Sequence, residues 1–203
     1  MSDQALIAGT AIVYPGVILG KNVIVEDYCI IGSPFQGYSG EETLIGDNSI
    51  IRSHTVIYAG NKIGKGFQTG NKVNIRERNT IGNDVSIGTH SVIEHNIIIE
   101  DSVRIHSQVF IPEYCIIKRN AWLGPNSVLT NAKYPRSPGV KQSLTGVVVE
   151  ENAKIGANVT ILPGVTIGKN SLIGAGSVVV CNVDPDVIAK GNPARFLRKI
   201  DYR

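Results

Sequence analysis

Residues 75–122 divide into eight units of six: IRERNT IGNDVS IGTHSV IEHNII IEDSVR IHSQVF IPEYCI IKRNAW. Every unit opens on isoleucine. The same rhythm extends from Ile45 to Leu129, where fourteen of fifteen first positions are Ile or Leu and Thr69 is the exception. The second position is often Gly (Gly46, Gly64, Gly70, Gly82, Gly88, Gly124), and the fifth is small or β-branched, as at Ser49, Thr55, Val73 and Ala121. Two further runs, Ile7 to Ile31 and Val149 to Val179, keep the period. Between runs the phase slips by two, so the segments GSPFQGYSGEET (32–43) and NAKYPRSPGVKQSLTG (131–146) must bulge out, and their Gly, Pro and Ser suit loops.

A six-residue repeat is too short to hold a helix. It fits a short strand and a turn, with the aliphatic first position buried and Gly or Asn taking the positive φ of the turn. Three units close an eighteen-residue triangular coil, and coils stack at about 4.8 Å. The expected fold is therefore all-β, a parallel β-helix of hexapeptide repeats over residues 1–183 with loops at 32–44 and 130–148. Its 26 units make nearly nine coils, roughly 40 Å long. After Asp184-Pro185 the hexads stop, and NPARFLRKI predicts a short C-terminal α-helix from Pro193 that caps the tube within 184–203.

The composition agrees with a narrow aliphatic core: 42% of the 203 residues are apolar but only 6% are aromatic. A net charge of +3 is too small to indicate a nucleic-acid partner. The charge is uneven, however, because Lys190, Arg195, Arg198, Lys199 and Arg203 against Asp201 give the last fourteen residues +4. Cys29, Cys115 and Cys181 stand far apart and read as reduced thiols. The N-terminus lacks a basic stretch followed by an apolar run, and no run approaches the ~20 residues of a membrane span, so a soluble cytoplasmic protein is expected.

The repeat over essentially the whole chain resembles the left-handed β-helix acyltransferases. IGANVTILPGVTIGKNSLIGAGSVVV (155–180) followed by GNPARFLRKI (191–200) is similar to members that use acyl-coenzyme A. SVIEHN (91–96), TNAKYPR (130–136) and PFQGYSGEET (34–43) followed by IGDNSIIRSHTVI (45–57) look most like N-acyltransferases of nucleotide-linked amino sugars. The resemblance implies a left-handed coil, acyl-coenzyme A as co-substrate, no metal, and a homotrimer with active sites between subunits. It also implies a catalytic His in the SVIEH setting, which is His95 here. Asn96 follows it where some relatives carry an acid, so the orienting role is left to Glu94, Glu77 or Glu113.

The eighteen-residue coil supports that role independently. Residues eighteen apart share a site on adjacent coils, so one column reads Glu77, His95, Glu113, Asn131 and sets a carboxylate on each side of the imidazole. Such an acid fixes the tautomer and stabilises the imidazolium. Arg76 falls beside Glu94 as an ion pair. Gly156-Ala157 and Gly174-Ala175 stack into a strip of small residues where a pantetheine arm would lie, with Lys190, Pro193, Arg195 and Arg198 near its phosphates. Asn74, Arg76, His106, Asn131, Lys133, Tyr134 and Arg136 are candidates for the sugar nucleotide, facing the same cleft as His95. Cys115 reads as a small core residue.

The expected reaction is attack of a sugar amine on a thioester, with His95 taking the proton and coenzyme A leaving as thiolate. O-acyl transfer to a nucleotide sugar hydroxyl is the alternative. A β-helix carbonic anhydrase is a weaker reading, because His54 and His90 stand two coils apart, about 9.6 Å, too far to share a zinc ion. That family's ligand positions hold Tyr58, Thr89 and Glu94. A non-enzymatic solenoid is the remaining reading.

Overall fold

A computed structural model describes residues 4–201; Arg203, counted in the basic tail, lies outside them, as do residues 1–3 and 202. The chain is a left-handed parallel β-helix with three faces. Face A begins with Leu6–Ile7, face B with Ile12–Val13 and face C with Val17–Leu19, and the chain visits them in that order. Register follows the coil: Gln68 pairs with Ser86, Asn74 with Val92 and Thr80 with Ile98, all eighteen apart. Face A holds ten parallel strands, so the tube is about nine strand spacings, or ~43 Å, long.

First- and fifth-position side chains fill the axis. Ile31, Ile51, Ile57, Ile75 and Ile93 are fully buried, as are Cys29, Phe67 and Cys115. Each buried Ile contributes about 1.5–3 kcal/mol by leaving water. Thr69, the polar exception, sits in the core because its hydroxyl accepts the Arg52 amide at 2.8 Å and lies 3.3 Å from the Thr55 hydroxyl.

Turn chemistry differs from the expectation. The positive φ falls on the fourth position, and it is occupied by Tyr28, Lys72, Arg78, His90, Gln108 and Tyr114 as well as by Asn. Glycine at the second position has another cause. A Cβ on Gly64 would stand 2.7 Å from the Gly82 backbone, and one on Gly156 2.5 Å from the Ala175 amide, so glycine is required there by the approach of the next coil.

The two long loops, 34–42 and 130–147, both leave the tube where face B turns into face C. They lengthen the register step to 26 at Ile30–Val56 and 32 at Val128–Thr160 without breaking the ladder.

The C-terminal segment is a correction. No helix forms at Pro193. Val187–Gly191 joins the end of face A beside Leu172–Ile173, and Ala194–Lys199 folds back antiparallel to it, pairing Lys190 with Arg195 and Gly191 with Ala194. The physical reason is the open edge of the last parallel strand. Its unpaired amides and carbonyls take hydrogen bonds from a returning strand, which a helix cannot supply.

Candidate functional site

The corner between faces B and C concentrates polar chemistry. Its turns carry, coil after coil, Tyr58-Ala59-Gly60, Arg76-Glu77-Arg78, Glu94-His95-Asn96 and Pro112-Glu113-Tyr114. Both loops spring from this same corner and bracket it. The first returns Glu41 to Arg78, which donates its Nε to Oε1 at 3.1 Å and lies over the Phe35 ring at 4.8 Å. The Arg78 guanidinium holds the Glu41 carboxyl down to about 2. The second loop brings Asn131, whose amide donates to Glu113 Oε2 at 2.7 Å.

His95 stands between these anchors with 30% of its side chain exposed. Its Nδ1 is buried and has no hydrogen-bond partner among the described residues. The nearest carboxylate is Glu94, Oε2 at 3.9 Å, and one donor atom each of Glu94, His95 and Glu113 lie within 4.8 Å of one another. The ring of Tyr114 meets the imidazole edge-on at 6.3 Å. One imidazole and two carboxylates suit stabilisation of an imidazolium, and the same donor set is of the kind that holds a divalent cation. His54 and His90 take no part in it.

The column arithmetic therefore brings the predicted residues together, with one change of partner. Glu77 is committed to Arg76, which donates Nε at 2.9 Å and Nη2 at 3.1 Å to its two oxygens. Burial would raise the Glu77 carboxyl, but this forked contact, helped by the field of His95, holds it below the ordinary carboxylate range. Hydrogen bonding to Glu77 in turn raises Arg76. Arg76 Nη1 also reaches Glu94 at 3.8 Å and its guanidinium covers Tyr58 at 4.9 Å. Glu94 is thus the acid nearest the ring, with Glu113 in the same cluster, while Glu77 is engaged by Arg76.

Behind these turns lie two buried amides that sequence reasoning missed. Asn61 donates to the carbonyls of Tyr58 and Arg76, both at 2.7 Å, and accepts the Asn79 amide at 3.0 Å. Asn79 donates to the Arg76 carbonyl at 2.9 Å and accepts the Ile97 amide at 2.8 Å. Two asparagines at the fifth position, where neighbouring coils carry Val, Ile and Cys, were the available signal.

His106 belongs elsewhere, which corrects its grouping with His95. It follows Arg104–Ile105 at the corner between faces A and B. There it meets the Trp122 ring edge-on at 4.8 Å and accepts from Arg104 Nε at 3.5 Å. Burial first, and the Arg104 cation second, lower its proton affinity. Asn74 lies on face B, one coil from Val92 and two residues before Arg76. Lys133 and Tyr134 line a cleft of about 250 Å³ in the second loop, together with Asn131, Thr145 and Pro163. Cys115 is fully buried, and desolvation pushes its thiol up to about 12, so it offers no nucleophile.

The glycine strip lies on the His106 corner. Gly156, Gly174 and Ala175 line a cleft of about 500 Å³ with Trp122, Asn120, Lys154 and Leu172; Ala157 is not among its lining residues. Lys190 stands on the next rung, against Gly174. Arg195 lines a smaller cleft of about 120 Å³ with Phe196 and Cys181, Pro193 occupies the hairpin turn, and Arg198 is paired with Asp201 at 2.6 Å, which lowers that acid. The basic end is real, but one of its cations is already matched.

Residues 146–181 match the family described as bacterial transferase hexapeptide (six repeats). That match spans 36 of the 203 residues, in the C-terminal part of the tube. The chain is 36% identical over 124 residues to the galactoside O-acetyltransferase of Lactococcus lactis, an alignment covering 59% of this chain and 55% of that protein. The chain spans only about half the length of the curated relatives it matches first. Two solved structures share the fold. LpxA of Bacteroides fragilis, a UDP-N-acetylglucosamine acyltransferase, is 19% identical with a TM-score of 0.63, covering 95% of this chain and 74% of that one. AntD, an N-acyltransferase of Bacillus cereus solved with dTDP-4-amino-4,6-dideoxyglucose and coenzyme A, is 20% identical with a TM-score of 0.60 and covers 70% and 84%. Among the described residues no helix is long and apolar enough to cross a membrane.

Proposed function

We propose that this β-helix protein transfers an acyl group from acyl-coenzyme A to the amino group of a nucleotide-linked amino-deoxysugar, with His95 as general base. The observation that carries the reading is the His95 imidazole. It is held between two protein loops, its Nδ1 is buried, and Glu94 and Glu113 lie close enough to stabilise its charged form. The sugar amine attacks the thioester carbonyl, its proton passes to the exposed edge of the imidazole, and the C–S bond breaks to release the thiolate of coenzyme A. A small rotation brings Nδ1 from 3.9 Å into hydrogen-bond range of Glu94 as the positive charge develops.

The cleft along Gly156 and Gly174, with Lys190 at its end, has the small walls and the cation that pantetheine and phosphate need. It lies on a different corner from His95, so a complete site takes its thioester from a groove between subunits. A homotrimer packed through face B supplies that arrangement. The outward residues of this face are apolar in most coils, including Ile12, Val56, Val92, Phe110 and Val128, whereas the middle of face A breaks its apolar run with Gln68, Ser86 and Arg104. AntD supports the N-acyl reading by its named ligands.

The test is a panel of acyl-coenzyme A thioesters against nucleotide-linked amino sugars, following free thiol. Turnover with at least one amino sugar is expected; a silent panel retires the reading. O-acyl transfer is the second reading, favoured by the galactoside O-acetyltransferase. It predicts turnover with sugar hydroxyls only, and no recovery of His95→Ala at high pH, because a hydroxyl stays protonated where an amine is already neutral.

A further inference from the structure

In successive coils the outward column of face A reads Ile24, Ile50, Gln68, Ser86, Arg104 and Trp122. Its three polar members stand together. Beside them, on the glycine corner, opens a second cleft of about 250 Å³, lined by Gln68, Ser86, Thr89, Arg104, His106 and Ser107 as well as by glycine, and no acidic residue lines it among the described residues. Its floor is backbone, because a Cβ on Gly70 would stand 2.4 Å from the Thr89 amide.

Arg104 gives this cleft its charge. Arg52, Arg76, Arg78 and Arg198 are each matched by a carboxylate. Arg104 is not; among the described residues its polar contact is with the His106 imidazole, Nε to Nε2 at 3.5 Å. Burial and this cation lower the proton affinity of His106, so the ring accepts and turns the guanidinium toward the corner.

Two alignments decide what the cation meets. Along the corner, this cleft continues the one lined by Gly156 and Gly174: it spans the coils of Gln68, Ser86 and Arg104, the other spans those of Trp122, Lys154 and Leu172, and the contact of His106 with Trp122 stands at the junction. From Lys190 to Arg104 is four strand spacings, ~19 Å. A pantetheine arm held by its phosphate at Lys190 therefore runs toward Trp122, and whatever the thioester carries passes His106 into the polar cleft. Across the assembly, Gly88 and His95 belong to one coil and lie at one height. The trimer proposed above sets the corner between faces A and B of one copy against the corner between B and C of the next, so this cleft opens at the level of the partner subunit's His95.

We infer that the acyl group transferred is a short chain ending in a carboxylate, presented as the half-thioester of a dicarboxylic acid with coenzyme A, and that Arg104 is the residue that selects it. The inference rests on the acyl-transfer reading and names its donor. Arg104 pairs with the distal carboxylate, and Gln68 and Ser86 donate to it from the neighbouring coils. A plain hydrocarbon chain would instead strip water from all three without replacing its hydrogen bonds. At the reacting end the C–N bond forms and the C–S bond breaks as before, and the distal carboxylate keeps its charge throughout.

The experiment follows free thiol released by the full chain from succinyl-, butyryl- and acetyl-coenzyme A, with whichever acceptor sugar reacts. Succinyl and butyryl chains have the same carbon count and differ by the terminal carboxylate. The kcat/KM for succinyl-coenzyme A is expected to exceed that for butyryl-coenzyme A by about ten- to hundred-fold, the usual worth of a charge-assisted contact. Arg104→Met should bring this ratio near one, and Arg104→Lys should keep part of it. A wild type that uses butyryl as well as succinyl, or a ratio that Arg104→Met leaves unchanged, overturns the inference and leaves the acyl-transfer reading standing. Silence with all three thioesters and every acceptor overturns that reading and the inference with it. Should Arg104→Met fail to fold, the wild-type ratio decides alone.

Discussion

Two corners of one repeat have been put to opposite uses. At the second residue of each unit the corner between faces B and C carries Tyr58, Arg76, Glu94, Pro112 and Thr130, while the corner between A and B carries Gly70, Gly88, His106, Gly124, Gly156 and Gly174. On the glycine corner the next backbone comes so near that a side chain is excluded: a Cβ on Gly88 would stand 2.4 Å from the Ser107 amide. That leaves an open trough for a ligand to lie against backbone. On the other corner long side chains project, and the buried amides of Asn61 and Asn79 hold the turns that carry them. The repeat thus departs from its consensus at one corner and keeps glycine at another.

The largest expected effect separates the corners by chemistry. His95→Ala should lower turnover by about 10²- to 10⁴-fold, the usual worth of a general base, while His106→Ala on the glycine corner should act mainly on KM for the thioester. Steady-state kinetics with both variants decides this, and equal losses of kcat would erase the distinction.

Next in size is the scaffold behind the polar corner. Asn79→Ala leaves the buried Ile97 amide unmatched and removes one of the two side-chain amides that donate to the Arg76 carbonyl, and should cost about 2–4 kcal/mol in urea unfolding. On the glycine corner, Gly156→Ala forces a methyl against the Ala175 amide and should cost about 1–3 kcal/mol, with weaker coenzyme A binding in calorimetry. A neutral Gly156→Ala would mean that the coils part easily there.

The smallest effect is local and depends on pH. Glu41 has a folded value of about 2 against an ordinary 4.5, so its contact with Arg78 contributes fully above pH 4.5 and is lost as pH falls toward 2. Hydrogen exchange of residues 34–42 should rise over that window, and Glu41→Gln should exchange faster at neutral pH and respond less to acid.

The His95 corner was legible because the column Glu77, His95, Glu113, Asn131 needs only the eighteen-residue coil, and no insertion interrupts it. The grouping of His106 with His95 failed on the same arithmetic: the two are eleven residues apart and cannot share a corner. Sorting second positions by corner would have exposed the glycine column and its polar counterpart. The partner of Glu77 was not legible, since Arg76 lies next to it in sequence and competes with His95 only once both side chains are placed. The C-terminal strand was misread because Pro193 followed by a basic, apolar run fits a helix start as well as a hairpin turn, and the demand of the open edge is invisible in sequence.

The repeat alone determined the tube, its three faces, the inward residues and the points where loops must leave, because burying one aliphatic residue in every six, three units to a coil, brings each strand back beside its predecessor; the hand of the coil came from the resemblance. Only the tertiary structure decided which acid serves which cation around His95, that both loops converge on one corner, and how the C-terminal end of the tube is closed. Those outcomes depend on competition among neighbours a few ångströms apart and on unpaired strand edges, and neither is written in a period of six.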